Sequence, residues 1–164
     1  MKIRPIRIDD FKSVLNWSKD DTFCSANGWE INRSEEELYR WWLHCVSHES
    51  EDFIRLGIEL EERLVGYVDL ASIKDNAAEL GIAVGESTLW GKGIGSKSIL
   101  SMMDYAFKKL GITVFNAEAH ESNIRSRKML KKIGFIEISR IGIEEYLGTE
   151  NQLIQYGYLY NRNS

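Results

Sequence analysis

Three glycines within five positions, Gly91, Gly93 and Gly95, enclose Lys92 and run into Ser96. Glycine lets a backbone approach a ligand closely and take positive φ, and a helix N-terminus offers free N–H groups and a partial positive charge. Because a strand-like run precedes the glycines and a helical pattern follows, the loop suits a phosphate, with Lys92 as cation and Ser96 as first-turn hydroxyl. A bare turn without ligand is the plain alternative. A Walker loop needs GxxxxGK[ST], and the sequence has no such string. A dinucleotide fingerprint begun at Gly93 puts Ser98 where the third glycine belongs, although Glu118 at the end of the next strand stands where a ribose-binding acid would. NAD is therefore the second ligand to weigh.

Other groupings point to plainer roles. His44 and His48 are four residues apart on one predicted helix, but Cys45 replaces the glutamate of HExxH, no third ligand is evident, and imidazoles in a last helical turn suit the helix dipole. No metal is expected. His120 and Glu118 sit at a strand end beside the glycine loop, as candidate substrate contacts. Arg127 and Lys128 form a basic pair that meets either a phosphate or solvent. Cys24 and Cys45 belong to no CxxC pair and make no disulfide framework, which suits a reducing compartment.

These groups need elements to position them. Residues 2–8 alternate as a strand, with Pro5 marking an edge position or bulge. Asp9 and Asp10 offer caps to a helix carrying Phe11, Val14, Leu15 and Trp17. A polar stretch follows, until the capping box Ser34-Glu35-Glu36-Glu37 opens a second helix to about His48, with Tyr39, Trp41 and Trp42 as packing aromatics. Residues 53–60 and 64–73 read as a hairpin, and 78–84 as the third strand of a meander. Ile99, Met102, Met103, Tyr105, Ala106 and Leu110 then mark a long amphipathic helix stopped at Gly111. The chain continues as a strand over 112–119, a helix over 123–133 closed by Gly134, and strands over 135–143 and 152–160 around the turn Gly148-Thr149-Glu150. The predicted order is β-α-α-β-β-β-α-β-α-β-β, a mixed α/β (α+β) domain over residues 1–164 with one β-α-β crossover.

Composition bounds the function. The 164 residues are 43% hydrophobic and carry 21 Lys/Arg against 25 Asp/Glu, a net charge of −4, so there is a core to bury and no broad attraction to nucleic acid or anionic membrane. Apolar runs are strand-sized and the N-terminus lacks a signal-peptide core, so a cytoplasmic protein is expected, as monomer or homodimer.

The Gly93/Gly95 loop after a strand, with Trp90-Gly91-Lys92-Gly93-Ile94-Gly95 and then Asn123-Ile124-Arg125-Ser126 through Lys132-Ile133-Gly134-Phe135, resembles the GNAT superfamily of acetyl-CoA-dependent N-acetyltransferases. The likeness is greatest to the group related to ribosomal-protein N-terminal acetyltransferases. It implies a mostly antiparallel sheet whose strand at Ile82, Ala83 and Val84 splays from its neighbour at a bulge and bonds the pantetheine arm. It also implies that Trp90, Gly91, Lys92, Gly93, Ile94, Gly95 and Ser96 hold the pyrophosphate of coenzyme A, that Asn123 and Ser126 lie near the pantetheine and the thioester, and that Lys128 meets a phosphate of the cofactor. The first two helices would wall the acceptor site. Two departures stand out: Trp90 replaces the usual loop-opening Gln or Arg, and Leu130 stands where many members carry the tyrosine that protonates the thiolate.

Acetyl transfer needs a neutral amine, a polarised carbonyl and a proton for the thiolate. Deprotonating a Lys-like amine at pH 7 costs roughly 4 to 5 kcal/mol, whereas an α-amine near pKa 8 costs about 1. By the resemblance, Glu79 is the candidate base and Ser126 the candidate thiolate contact or proton donor, with a backbone N–H near Ala83 or Val84 polarising the carbonyl. The acceptor is a primary amine, either a protein N-terminus or a small amine such as a polyamine or aminoglycoside. A coenzyme A-binding module without catalysis is the alternative of another class.

Overall fold

Apolar alternation and well-capped helices account for most of the observed elements. The computed structural model describes residues 1–161. Its strands are β1 (Lys2–Pro5), β2 (Ile54–Leu60), β3 (Arg63–Lys74), β4 (Ala77–Val84), β5 (Val114–His120), β6 (Ile136–Ser139), β7 (Ile143–Tyr146) and β8 (Thr149–Leu159). The helices are α1 (Phe11–Trp17), α2 (Asp21–Asn27), α3 (Glu35–Ser47), α4 (Ile94–Leu110) and α5 (Ile124–Ile133). Strand order is β1-β2-β3-β4-β5-β8-β6, with β7 paired to β8. All pairs are antiparallel except β4–β5. The mixed α/β class with a mostly antiparallel sheet is as expected, and Pro5 ends an edge strand, where a missing N–H is tolerated.

Two layers cover the sheet. The stripe Ile99, Met102, Met103 and Ala106 recurs at helical spacing, so α4 packs over Val68, Leu70, Ala78, Leu80, Phe115 and Ala117. On the other face, Val14, Trp17, Phe23, Leu38 and Trp42 of α1–α3 pack on Leu64, Tyr67 and Ala83. Helix ends follow sequence cues: Ser34 Oγ accepts the Glu37 N–H at 3.1 Å, and Gly111 closes α4 at φ 68°. Near the start of the chain, buried Asp10 takes two bonds from Arg4 (2.8 and 3.0 Å) and one from the Arg7 N–H (2.8 Å), while Arg4 Nε reaches Glu59. This network ties β1 to β2 and to the entry of α1.

The structure adds two elements to the predicted order. The polar stretch after α1 contains α2, capped by Asp20 and ended by Gly28 at φ 67°; it is only two turns and buries just Phe23 and Cys24, too short for a periodicity to stand out. The single strand expected over 135–143 is two, because the backbone turns at Gly142 (φ 100°) and both β6 and β7 pair with the long β8. The first strand stops at Pro5, and residues 8–10 form a 3-10 turn.

Candidate active site

The site begins where two parallel strands part. Their pairing covers only Ala77↔Val114, Ala78↔Phe115 and Glu79↔Asn116. Beyond it β4 stays with β3 up to Val84, while β5 stays with β8 up to His120. The two walls, residues 80–84 and 117–120, enclose a cavity of about 380 Å³. The Gly85 N–H donates to the Val65 carbonyl, so alternation along β4 turns the backbone groups of Leu80 and Ile82 away from β3 and into the gap. The register shift lies on β3, between Ala71 and Lys74 with Ser72 at φ 49°, and not on the 82–84 stretch where the bulge was expected. It sits opposite the point of divergence, where extra local twist helps separate the strands.

The glycine loop closes one end. Gly91 (φ 79°) and Gly93 (φ 84°) take a left-handed backbone, and Gly93 caps α4. The first ladder bond runs from the Lys97 N–H to the Gly93 carbonyl, so the N–H groups of Ile94, Gly95 and Ser96 precede the ladder and are available to an anion. A Cβ on Gly95 would stand 3.0 Å from Met129 Sδ, so glycine here lets α4 and α5 approach. Gly91, Gly93, Ile94, Gly95 and Ser96 line the cavity, whereas Lys92 is exposed and outside its lining. Trp90 lines the cavity too, and its indole N–H donates to the Val84 carbonyl at 2.9 Å, pinning the loop to the end of β4.

From the far wall, Asn123 caps α5 by accepting the Ser126 N–H (3.3 Å), and Asn123, Ser126, Met129 and Leu130 line the cavity. Lys128 is exposed and outside the lining, and Arg127 turns to the Tyr156 hydroxyl and the Glu121 carbonyl. Glu79 is exposed at the last paired position and also outside the lining. The carboxylate on the wall is Glu118, which accepts from Gln155 Nε2 at 2.8 Å. Next to it, His120 meets Glu144 at 3.1 Å and stacks on Tyr146 at 4.3 Å.

Helix α2 supplies the remaining wall through Ala26 and Asn27. Asp20 sets its position: one oxygen caps α2 through the Phe23 N–H (3.1 Å), and the other accepts the Ser87 N–H (3.0 Å) from the turn before the glycine loop. Burial alone pushes the Asp20 carboxyl up, but the bonds from Ser87 and Phe23 outweigh it and hold the group below the usual carboxylate range. Tyr39, Trp41 and Trp42 are outside the cavity lining; Trp42 is buried, with its indole N–H on the Arg7 carbonyl. Arg125 was not singled out by sequence patterning, yet it lines the cavity with its guanidinium 3.7 Å from the Trp90 ring centre. One signal for α2 was available: Asp20 and Gly28 bracket Phe23 and Cys24 as cap and stop.

The family profile of the acetyltransferase (GNAT) domain matches residues 1–136. The chain belongs to the GNAT acetyltransferase family. An uncharacterised protein of Methanocaldococcus jannaschii is 35% identical over 157 residues, 93% of this chain and 30% of that protein. The match spans less than half the length of this relative, of the human alpha/beta-tubulin-N-acetyltransferase 9 and of an N-acetyltransferase 9-like protein of Nematostella vectensis. Among solved structures, a ribosomal L7/L12 alpha-N-protein acetyltransferase in complex with coenzyme A superimposes with a TM-score of 0.81 at 18% identity, covering 96% of this chain and 92% of that one. A spermidine N-acetyltransferase from Vibrio cholerae, in complex with CoA and spermine, gives 0.78 at 20% identity, covering 96% and 94%. At these identities the two structures establish a shared GNAT fold. Among the described residues, no helix is long and apolar enough to cross a membrane.

Proposed function

We propose that this GNAT chain transfers the acetyl group of acetyl-CoA to a primary amine, with a protein N-terminus as the leading acceptor class. The observation that carries the reading is the parting of β4 and β5 beyond Glu79 and Asn116, directly in front of the α4 N-terminus. The free N–H groups at 94–96 hold the pyrophosphate, and the outward backbone groups of Leu80 and Ile82 bond the pantetheine arm. Both solved neighbours carry coenzyme A, which supports this assignment.

The amine enters between α2 and the β7–β8 hairpin and attacks the thioester carbonyl. The C–N bond forms, the C–S bond breaks, the amine proton goes to a carboxylate and the thiolate takes a proton from Ser126 or solvent. Sequence likeness put the base at Glu79. The cavity lining favours Glu118 for this role, directly or through water, with His120 beside it. Leu130 lines the cavity and brings no proton, so the thiolate relies on Ser126 or water. A polyamine acceptor is the second reading, favoured by Glu118, Glu144 and Glu145 along the entrance.

The test is coenzyme A release with peptide and polyamine acceptors in the wild type, Glu118→Gln and Glu79→Gln. Glu118→Gln is expected to lower kcat by about 10²-fold or more with little change in acetyl-CoA affinity, and to do so more than Glu79→Gln. The reverse order would return the base role to Glu79, and no release with any amine would leave a coenzyme A-binding module.

A further inference from the structure

Among the described arginines, Arg33, Arg40, Arg125 and Arg127 face no carboxylate at ion-pair distance, and of these Arg125 is the one that lines the cavity. Arg4, Arg55, Arg63 and Arg140 each face a carboxylate within 3 Å, and Arg127 donates to a hydroxyl and a carbonyl. Among the described residues, Arg125 has no carboxylate at ion-pair distance and no hydrogen-bond acceptor, although it lines the cavity. Its guanidinium lies over the Trp90 ring, and that ring is fixed by its own N–H bond to the Val84 carbonyl. Stacking uses the face of the guanidinium and leaves its in-plane N–H donors free, the arrangement that receives a carboxylate through two parallel bonds. Arg125 is exposed on its outer side, and partial burial works against its charge, so an arriving anion meets a partly desolvated cation.

The surroundings place this cation at the acceptor end. Trp90 packs with the aromatic cluster of α1–α3, Ala26 and Asn27 of α2 line the same cavity, and Tyr146 of β7 stacks on His120. The phosphate-binding N–H groups belong to the first turn of α4 instead. We infer that Arg125, held over the Trp90 ring, binds a carboxylate carried a few bonds from the acceptor amine, so that the site selects acceptors bearing an anion close to the nucleophile. The carboxylate comes either from an acidic side chain early in a peptide or from the α-carboxylate of a free amino acid. A polycation such as a polyamine meets the Arg125 charge and is disfavoured. This inference rests on the acetyltransferase reading and narrows its acceptor class.

The experiment compares matched acceptors in the wild type, Arg125→Gln and Arg125→Lys: peptides with Glu or Gln at the second position, a free amino acid and its amide, and spermidine. Acetyl-CoA affinity is measured separately by calorimetry. The wild type is expected to favour the carboxylate-bearing member of a pair by about tenfold or more in kcat/KM, and the ratio to fall towards one in Arg125→Gln. Arg125→Lys is expected to retain a smaller preference, since an ammonium lacks the planar fork. Preference in the peptide pair alone, or in the amino-acid pair alone, identifies the source of the carboxylate. Equal kcat/KM within both wild-type pairs, or a preference for spermidine over all of them, overturns the inference while leaving acetyl transfer intact. A rise in the acetyl-CoA Kd of Arg125→Gln with no change in acceptor ratio also overturns it, and assigns the residue to a coenzyme A phosphate. Absence of turnover with every amine overturns the acetyltransferase reading and the inference with it.

Discussion

At Gly93 a single hydrogen atom in place of a side chain decides whether the loop can form. The backbone there has φ 84°, costly for an L-residue by roughly 1–2 kcal/mol, while the space where a Cβ would stand is open. Gly93→Ala thus tests strain alone, and Gly93→Asp adds a negative charge where the phosphate is proposed to sit. We expect Gly93→Asp to weaken acetyl-CoA binding by about 100-fold or more and Gly93→Ala to weaken it much less, read by calorimetry. Equal, small effects of both would remove the phosphate role of the loop. Trp90 stands where a loop-opening Gln or Arg is usual in the family, and its N–H bond to Val84 gives the loop a fixed attachment to the strand it serves.

At the scale of elements, the site depends on α2 being held against the glycine loop, and one carboxylate makes that link. Asp20 caps α2 and accepts the Ser87 N–H, so Asp20→Ala removes a cap and a tertiary bond together, a loss of about 1–2 kcal/mol in unfolding free energy at pH 7. The pH dependence follows from the lowered pKa of this carboxyl in the folded state. A group depressed on folding contributes stability that is complete above its unfolded pKa, near 3.9, and is lost as pH falls through the folded value. Urea unfolding of wild type and Asp20→Ala should therefore differ most at neutral pH, with the gap narrowing below about pH 4. A constant gap down to pH 3 would show that the carboxylate charge plays no part. In the same layer, the Arg55–Asp69 pair shows how the sheet manages a charge under α3: burial works against the charge on Arg55, but its two bonds to Asp69 (2.7 and 2.8 Å) outweigh it and keep the guanidinium ionised.

For the molecule as a whole, the cavity is a junction of parts that contact one another little through the backbone. Its walls are two strands that have parted, and its ends are the first turns of α4 and α5. A ligand spanning them joins both halves of the sheet, so binding should stabilise the entire fold. At 100 times its Kd, acetyl-CoA is expected to add about 2.7 kcal/mol, a rise in Tm of roughly 5–10 °C for a chain of this length. Coenzyme A should act similarly and NAD should not, in a thermal melt. A shift with NAD alone would reverse the choice between the two phosphate ligands that the loop sequence left open.

Local chemistry decided much of this in the sequence alone. The spacing Ile99, Met102, Met103, Ala106 dictates an amphipathic α4, Ser34 and Gly111 mark helix ends, and glycines at 91, 93 and 95 ahead of a helix specify an anion-ready turn, because each of these rests on residues within a few positions of one another. Helix α2 escaped because two turns carry too little periodicity, and the split between β6 and β7 because both depend on pairing with β8. The tertiary structure alone decided which polar groups face the cavity. Glu79 and Glu118 are both strand carboxylates in the sequence, and only the parting of β4 from β5 separates an exposed position from a wall position. Likewise Arg127 and Lys128 read as one basic pair in the sequence and Arg125 is not marked out at all, yet the turn of α5 sends the three to the Tyr156 hydroxyl, to solvent and to the Trp90 ring. Side-chain direction across non-adjacent elements is a property of packing, and packing is settled only when the whole chain has folded.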